Sequence, residues 1–142
     1  MSHTYNCSYN HIVFSTKDRK YLIKEYFREQ MYRIIINVSN SHRCKILKIN
    51  GIEDHIHILV LMHPSISSSQ YLQIIKGTSS SWVNEKIKPS YGHFSWQEGY
   101  SIFSVSYSNL ESVESYIEKQ EIHHINSTFL SEITLLIELT SK

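Results

Sequence analysis

The 142-residue sequence is sparing with the residues that punctuate or staple a chain, with two cysteines, two prolines and four glycines. Cys7 and Cys44 stand far apart and form no CxxC or Cys-His spacing, so neither a disulfide framework nor a zinc ribbon is encoded and reduced thiols are expected. With 41% hydrophobic and 19% charged residues beside so little Gly and Pro, collagen-like, proline-rich and highly charged disordered chains are excluded. Long apolar runs are missing as well. The longest, Ile56 to Met62 with His57 set aside, falls far short of the roughly 20 residues a membrane helix needs. The opening Met1-Ser2-His3-Thr4-Tyr5-Asn6 lacks the basic-then-apolar pattern of a secretory signal. The length suits one core and is short for two. A single domain over residues 1–142, cytoplasmic and without a membrane partner, is expected.

A strong net charge is also lacking, since the formal total is +1. That near-neutrality hides an asymmetry. Nine basic residues between Lys17 and Lys48 (Lys17, Arg19, Lys20, Lys24, Arg28, Arg33, Arg43, Lys45 and Lys48) face Asp18, Glu25 and Glu29, a balance of +6. Beyond Gly51, five basic and ten acidic residues give −5. Clustered Lys and Arg neutralise phosphates, so the first third of the chain is a candidate nucleic-acid contact, through Lys17, Arg19, Lys20, Arg28 and Arg33 with help from Lys76. A solvated helix face has the same composition.

Hydrophobic period orders the elements. Tyr9 to Thr16 alternates as a strand, with Ile12 and Phe14 on one face and His11 and Val13 on the other. Ile23, Phe27, Ile34 and Val38 form the stripe of an amphipathic helix from Lys20 to about Ser39. Lys45–Ile49 and Asp54–Met62 read as antiparallel strands joined at Asn50-Gly51, a strong two-residue hairpin signal. Ser67 and Gln70 form a capping box opening a second helix that Pro89 must stop. Gly77 inside it marks either a close backbone approach or a tolerated defect. Tyr100–Ser106 is a fourth strand. Ser108 and Glu111 read as a capping box for a third helix with the stripe Leu110, Val113, Ile117 and His124, and Phe129 to Ile137 supports a last helix. The order β-α-β-β-α-β plus C-terminal helices predicts an α+β, ferredoxin-like antiparallel sheet with both crossover helices on one face.

The other sheet face is then left for function. In Asp54-His55-Ile56-His57-Ile58-Leu59-Val60-Leu61-Met62 the two-residue period places Ile56, Ile58, Val60 and Met62 toward the helices, and His55, His57, Leu59 and Leu61 toward the open face. Two imidazoles so placed can share a metal ion while leaving positions free for substrate oxygen. They can equally be half-exposed polar residues. Tyr116 and Gln120, four apart on the third helix, project from one side of it. If that helix covers the open face, the Gln120 amide oxygen can complete a two-His, one-Gln site with the Tyr116 hydroxyl beside it. Tyr100 and Tyr107 are rival nucleophiles without a partner at helical spacing.

His55-Ile56-His57, the Trp96-Gln97-Glu98-Gly99-Tyr100 segment leading into Phe103-Ser104-Val105-Ser106, and Tyr116-x-x-x-Gln120 followed by His123-His124 together resemble one family. They resemble the single-strand DNA transposases of small prokaryotic insertion sequences, the HUH transposases with one catalytic tyrosine, among which are the REP-associated tyrosine transposases. The likeness runs from about Tyr9 onward in matching order. It implies a ferredoxin-like homodimer that cuts single-stranded DNA at folded element ends and rejoins it through a 5′-phosphotyrosine. The C-terminal helices would include the one carrying the tyrosine. On these positions His55, His57 and Gln120 match the metal ligands and Tyr116 the nucleophile, with the tyrosine helix of one subunit completing the His pair of the other. The chain departs from the family in its near-neutral charge and in Lys119 before Gln120, where relatives often carry Asn.

The residue types suit that chemistry. A phenol with pKa ≈ 10 is a poor nucleophile at neutral pH, so a divalent ion, Mg²⁺ or Mn²⁺, is needed to polarise the phosphate. Exposed Leu59 and Leu61 would call for a partner over the open face. Three other readings use the same fold: a non-catalytic single-stranded nucleic-acid-binding module, in which the histidines would be idle; a small-molecule regulatory domain; and a host-adapted relative that processes repeated hairpins.

Overall fold

The structure is a computed structural model and describes residues 7–120 and 129–140. Strand β1 (Tyr9–Ser15) leads to α1 (Glu25–Ser41), a β2–β3 pair (Lys45–Gly51 and His55–Leu61), α2 (Ser68–Trp82), β4 (Ser101–Val105), α3 (Leu110–Glu118) and α4 (Phe129–Thr140). The four strands form one sheet in the order β2-β3-β1-β4 with every neighbouring pair antiparallel. This is the expected ferredoxin-like, α+β arrangement. The two strands joined directly in sequence, β2 and β3, lie side by side, while the crossovers through α1 and α2 place β1 between β3 and β4.

Helices α1 and α2 cover one face, and the alternation of β1 and β3 decides which side chains meet them. Ile12, Phe14, Ile56, Ile58, Val60 and Met62 pack against Phe27, Met31 and Ile35 of α1 and Leu72 and Ile75 of α2. In β2, Ile46 and Ile49 both join this core although an odd spacing should part them. A register shift between Ile46 and Lys48 absorbs one residue and leaves Leu47 on the opposite side.

Several local expectations need correction. The β2–β3 turn is not at Asn50-Gly51, because both residues lie inside β2 and pair with His57 and Ile56. Glycine is needed at position 51 for space. A Cβ there would stand 2.2 Å from the His55 carbonyl oxygen. At Gly77 a Cβ would meet nothing within 4 Å, so this glycine is a tolerated helix defect and not a close approach. Helix α1 starts at Glu25 and not at Lys20, since the preceding loop is tied down by Thr16 Oγ1 donating to Lys20 O (2.6 Å) and by Ile23 N donating to Glu53 O (2.9 Å). The Ser67–Gln70 capping box forms with both reciprocal hydrogen bonds. The Ser108–Glu111 box does not. A short 3₁₀ turn over Tyr107–Asn109 makes Asn109 the N-cap of α3, without a side-chain cap. His124 lies outside the described residues.

The second face is not open. Helix α3 lies over β2 and β3, packing Ile117, Val113 and Leu110 with Leu59, Val105, Tyr9 and Leu47. Asn50 fixes its far end, its Nδ2 donating to the carbonyls of Ile117 and Glu118 at 3.1 Å each and so satisfying acceptors that a helix C-terminus leaves bare. Leu59 is therefore fully buried and Leu61 half-buried within one chain. The exposed patch that would call for a covering partner does not arise.

Candidate active site and metal centre

Sheet geometry brings three histidines together beneath α3. His55 and His57 come from one face of β3. His11 comes from the neighbouring strand, where Val13 pairs with His57 and His11 with Leu59, so the His11 ring lies one step along from that of His57. All three are buried. Buried imidazoles need partners for both ring nitrogens, and each Nδ1 of the His-x-His pair has one. His55 Nδ1 lies 2.7 Å from Asp54 Oδ1, and His57 Nδ1 lies 2.7 Å from His11 Nε2. With the Nδ1 atoms engaged, both Nε2 atoms are aimed into one space under α3.

A carboxylate stands there. Glu132 of α4 is buried, with Oε1 at 3.1 Å from His57 Nε2 and Oε2 at 3.3 Å from His55 Nε2. Tyr116 of α3 reaches the same point. Its hydroxyl donates to Glu132 Oε1, and its ring centroid lies 5.8 Å from that of His57 and 6.1 Å from that of His11. Gln120 is buried one turn further on, its Nε2 donating to the Tyr116 carbonyl at 3.4 Å. Of the four expected site residues, His55, His57 and Tyr116 thus meet around Glu132, and Gln120 lies one turn beyond, against the Tyr116 carbonyl.

Charges at the site are strongly coupled. Burial disfavours ionised Glu132, yet hydrogen bonds from His55 and His57 outweigh burial and hold the carboxyl well below its usual range. His55 is subject to the same contest. Burial disfavours its charge, but Asp54 and Glu132 prevail and raise its pKa above the ordinary histidine value. His11 goes the other way, lowered to about 3 by burial and by His57, so it is a neutral ring. Tyr116 is pushed well up, by burial first and then by the Glu132 carboxylate. As arranged, the phenol is kept protonated.

The donor set fits a divalent cation. Two imidazoles and a carboxylate, all buried, offer ligand atoms within 4.8 Å of one another. Nitrogen with anionic oxygen is a set that Mn²⁺ and related ions accept, and the Asp54 and His11 contacts supply the outer hydrogen bonds that orient ligating histidines.

The basic residues are less uniform than the charge count implies. Lys17, Arg19, Lys20 and Arg33 are exposed. Arg28 is turned inward, with its side chain 12% exposed and Nη2 donating to Ile23 O at 3.0 Å. Lys76 is committed too, its Nζ donating to the Gln97 and Gly99 carbonyls at 2.7 and 2.9 Å. Of the rival tyrosines, Tyr107 is 74% exposed and lies against Tyr9, and Tyr100 is exposed at the start of β4. Glu132 and His11 are the site members that sequence reading did not single out. The alternation of β1 carried a signal for His11, because it faces away from Ile12 and Phe14 as His55 and His57 face away from Ile56 and Ile58.

A ferredoxin-like sheet that buries a His-x-His strand beneath a tyrosine-bearing helix defines the class as HUH-type with a single tyrosine. Residues 3–120 match the family described as IS200-like transposases, and the chain belongs to that family. It is 31% identical over 126 residues to the transposases for insertion sequence element IS200 of Salmonella typhimurium and of Salmonella typhi, covering 84% of this chain and 81% of each relative. Two solved structures share the fold. One is a crystal structure assigned as a transposase from Deinococcus radiodurans R1 (TM-score 0.65, 18% identity, 84% of this chain and 95% of that one). The other is a REP-associated tyrosine transposase bound to a REP hairpin (TM-score 0.65, 13% identity, 87% and 72%).

Proposed function

We propose that the protein is a metal-dependent single-stranded DNA transposase that cuts and rejoins DNA at hairpin ends of its element through a 5′-phosphotyrosine on Tyr116. The observation that carries this reading is the meeting of the Tyr116 hydroxyl with the His55 and His57 Nε2 side of the site. A tyrosine packed for stability has no need of such a cluster, and a binding module would leave the histidines without work. That a solved relative of the same fold holds a REP hairpin makes folded single-stranded DNA the first substrate class to test.

His55 and His57 would hold the divalent ion, Mg²⁺ or Mn²⁺, with an oxygen donor from Gln120 or Glu132. When bound, it supplies Lewis-acid polarisation of the scissile phosphate. Tyr116 Oη forms the new bond to phosphorus as the bond from phosphorus to the 3′-oxygen breaks. The phenol proton passes to solvent and the departing oxygen leaves as a 3′-hydroxyl. One phosphodiester replaces another, so rejoining needs no energy source. Exposed Lys17, Arg19, Lys20 and Arg33 would draw in the backbone.

The reading also includes a cytoplasmic homodimer with active sites shared between subunits. In this chain Tyr116 lies beside its own histidines, so sharing would require α3 to exchange between copies. Mixing Tyr116→Phe with His57→Ala protein tests that: partial recovery of cleavage supports shared sites, and none supports sites built within one chain. The main test is incubation with Mn²⁺ and single-stranded DNA from around the gene. A denaturant-resistant adduct is expected with wild type and none with Tyr116→Phe. An equal adduct from the variant would refute the assignment of the nucleophile.

A further inference from the structure

We infer that the Lys17-Asp18-Arg19-Lys20 turn between β1 and α1 is a preformed grip for the phosphates of a DNA strand, and that Gln97 is the positioning residue that holds it in shape. The inference rests on the reading of DNA as substrate above. It gives a task to the Trp96-Gln97-Glu98-Gly99-Tyr100 segment, which that reading leaves without one.

The turn is strained. Asp18 and Arg19 both have left-handed backbone, with φ of 55° and 52°. Aspartate visits that region more readily than arginine, and two such residues in succession persist only where their surroundings hold them there. Hydrogen bonds supply that hold. Thr16 Oγ1 donates to Lys20 O at 2.6 Å, Lys17 N to Ser95 O at 3.0 Å, and Asp18 N to Gln97 Oε1 at 2.9 Å. The Gln97 contact is made directly to one of the two left-handed residues, by a side chain 79 positions further along the sequence. Without it, the Asp18 N–H loses its partner and the turn is free to relax.

Gln97 is itself fixed. Its N donates to Ser15 O at 2.9 Å and its carbonyl accepts from Lys76 Nζ at 2.7 Å, while neighbouring Trp96 bridges to Thr16 and donates from Nε1 to Ser79 Oγ at 2.9 Å. Lys76 and Ser79 belong to α2, so the segment is a strut from that helix to the turn. Lys76 thus works on the strut and not on DNA directly. What the strut presents is charge, because Lys17, Arg19 and Lys20 are exposed with only Asp18 among them to oppose phosphate. The place is apt. Ser15 pairs with His55 and Thr16 N donates to Asp54 O at 2.8 Å, so the turn leaves the sheet at the His55 end of β3. A connection that merely joined β1 to α1 has unstrained alternatives. One that must hold three cations at fixed spacing gains from rigidity, because their ordering is then not left to the moment of binding.

The test is fluorescence anisotropy of a labelled oligothymidylate, which forms no hairpin, titrated with the full chain across a salt series. Gln97→Ala removes the acceptor and no charge, and should weaken binding about three- to tenfold and lower the salt slope by ~1. Combining it with Lys17→Gln, Arg19→Gln and Lys20→Gln should add nothing to the loss those three cause, since residues that act through one another are not additive. A glutamine that matters only for stability would leave the slope alone. Near-ultraviolet circular dichroism establishes that each variant is folded. If the three cation substitutions flatten the slope but Gln97→Ala binds as wild type does, the role of Gln97 falls and the reading of DNA as substrate stands. If Gln97→Ala costs as much in the triple background as in wild type, its effect does not pass through the turn and the inference is overturned. A wild-type slope in the triple variant would overturn it as well, while the Tyr116 adduct judges the functional reading separately. Absence of binding by wild type would overturn both.

Discussion

Along β3 the residues turned toward α1 and α2 are Ile56, Ile58 and Val60, and those turned toward α3 are His55, His57 and Leu59. All six are fully buried, so exposure does not distinguish the two faces. Chemistry does. The first face is aliphatic throughout and gains its stability from close packing. The second withdraws three histidines, a glutamate, a glutamine and part of a tyrosine from water, and each must recover its lost hydration through a neighbour. One strand thus serves as core on one side and as candidate active site on the other. Burial alone is therefore a poor guide to which side chains hold a fold together.

The comparison breaks most visibly at Tyr116. Tyr116→Phe should abolish the covalent DNA adduct while the protein stays folded and still binds DNA, because only a hydroxyl is lost. Next comes stability. Ile58→Ala, on the aliphatic face, should cost about 2–5 kcal/mol in chemical denaturation. Converting the polar cluster to His11→Leu, His57→Leu and Glu132→Leu together should leave stability unchanged or raise it, since apolar replacement of buried charged groups is commonly neutral or favourable. Mn²⁺ binding should vanish in that triple variant. If it were destabilised as much as Ile58→Ala, the polar face would be a second core and the contrast would fail.

A smaller effect concerns pH. His11 is lowered to about 3 in the folded protein, against 6.5 for an ordinary histidine. Between these values the unfolded chain takes up a proton at this residue that the folded chain does not, so its contribution is present above pH 6.5 and is lost progressively as pH falls. His11→Gln should therefore lose less stability than wild type between about pH 7 and pH 5. Equal losses would mean that His11 is not the buried neutral ring described. For DNA, Lys17→Gln, Arg19→Gln and Lys20→Gln together should flatten the salt dependence of single-strand binding by up to ~2 in slope, at ~0.7 per phosphate contact. Arg28→Gln, already turned inward, should leave that slope unchanged. Smallest is Asn50→Ala, expected to cost about 1 kcal/mol for the freed α3 carbonyls.

What can be read from the residues depends on range. The alternation of β3, the Ser67–Gln70 box and the Tyr116–Gln120 offset are local patterns, and each appears in the folded chain where its period places it. Asn50-Gly51 misleads because glycine answers two different needs. Here it makes room for the His55 carbonyl and does not supply a turn. Glu132 is illegible for another reason. In Phe129-Leu130-Ser131-Glu132-Ile133-Thr134 a single acidic residue reads as the solvent side of an apolar helix, and only the tertiary path of α4 brings it to the histidines. Arg28 and Lys76 show the same limit from the other side, since a count of charges does not reveal which of them already have backbone carbonyls to hold.

The site draws one histidine from β1, two from β3, the tyrosine from α3 and the carboxylate from α4. Synthesis delivers these parts in that order, with the sheet able to assemble before either of the last two has appeared. An interrupted translation product can thus possess the histidines and the exposed lysines of the first third without Tyr116 or Glu132. On the proposed mechanism a transposase so built becomes competent only after nearly every element described here has been made, so a prematurely terminated chain would lack the means to cut.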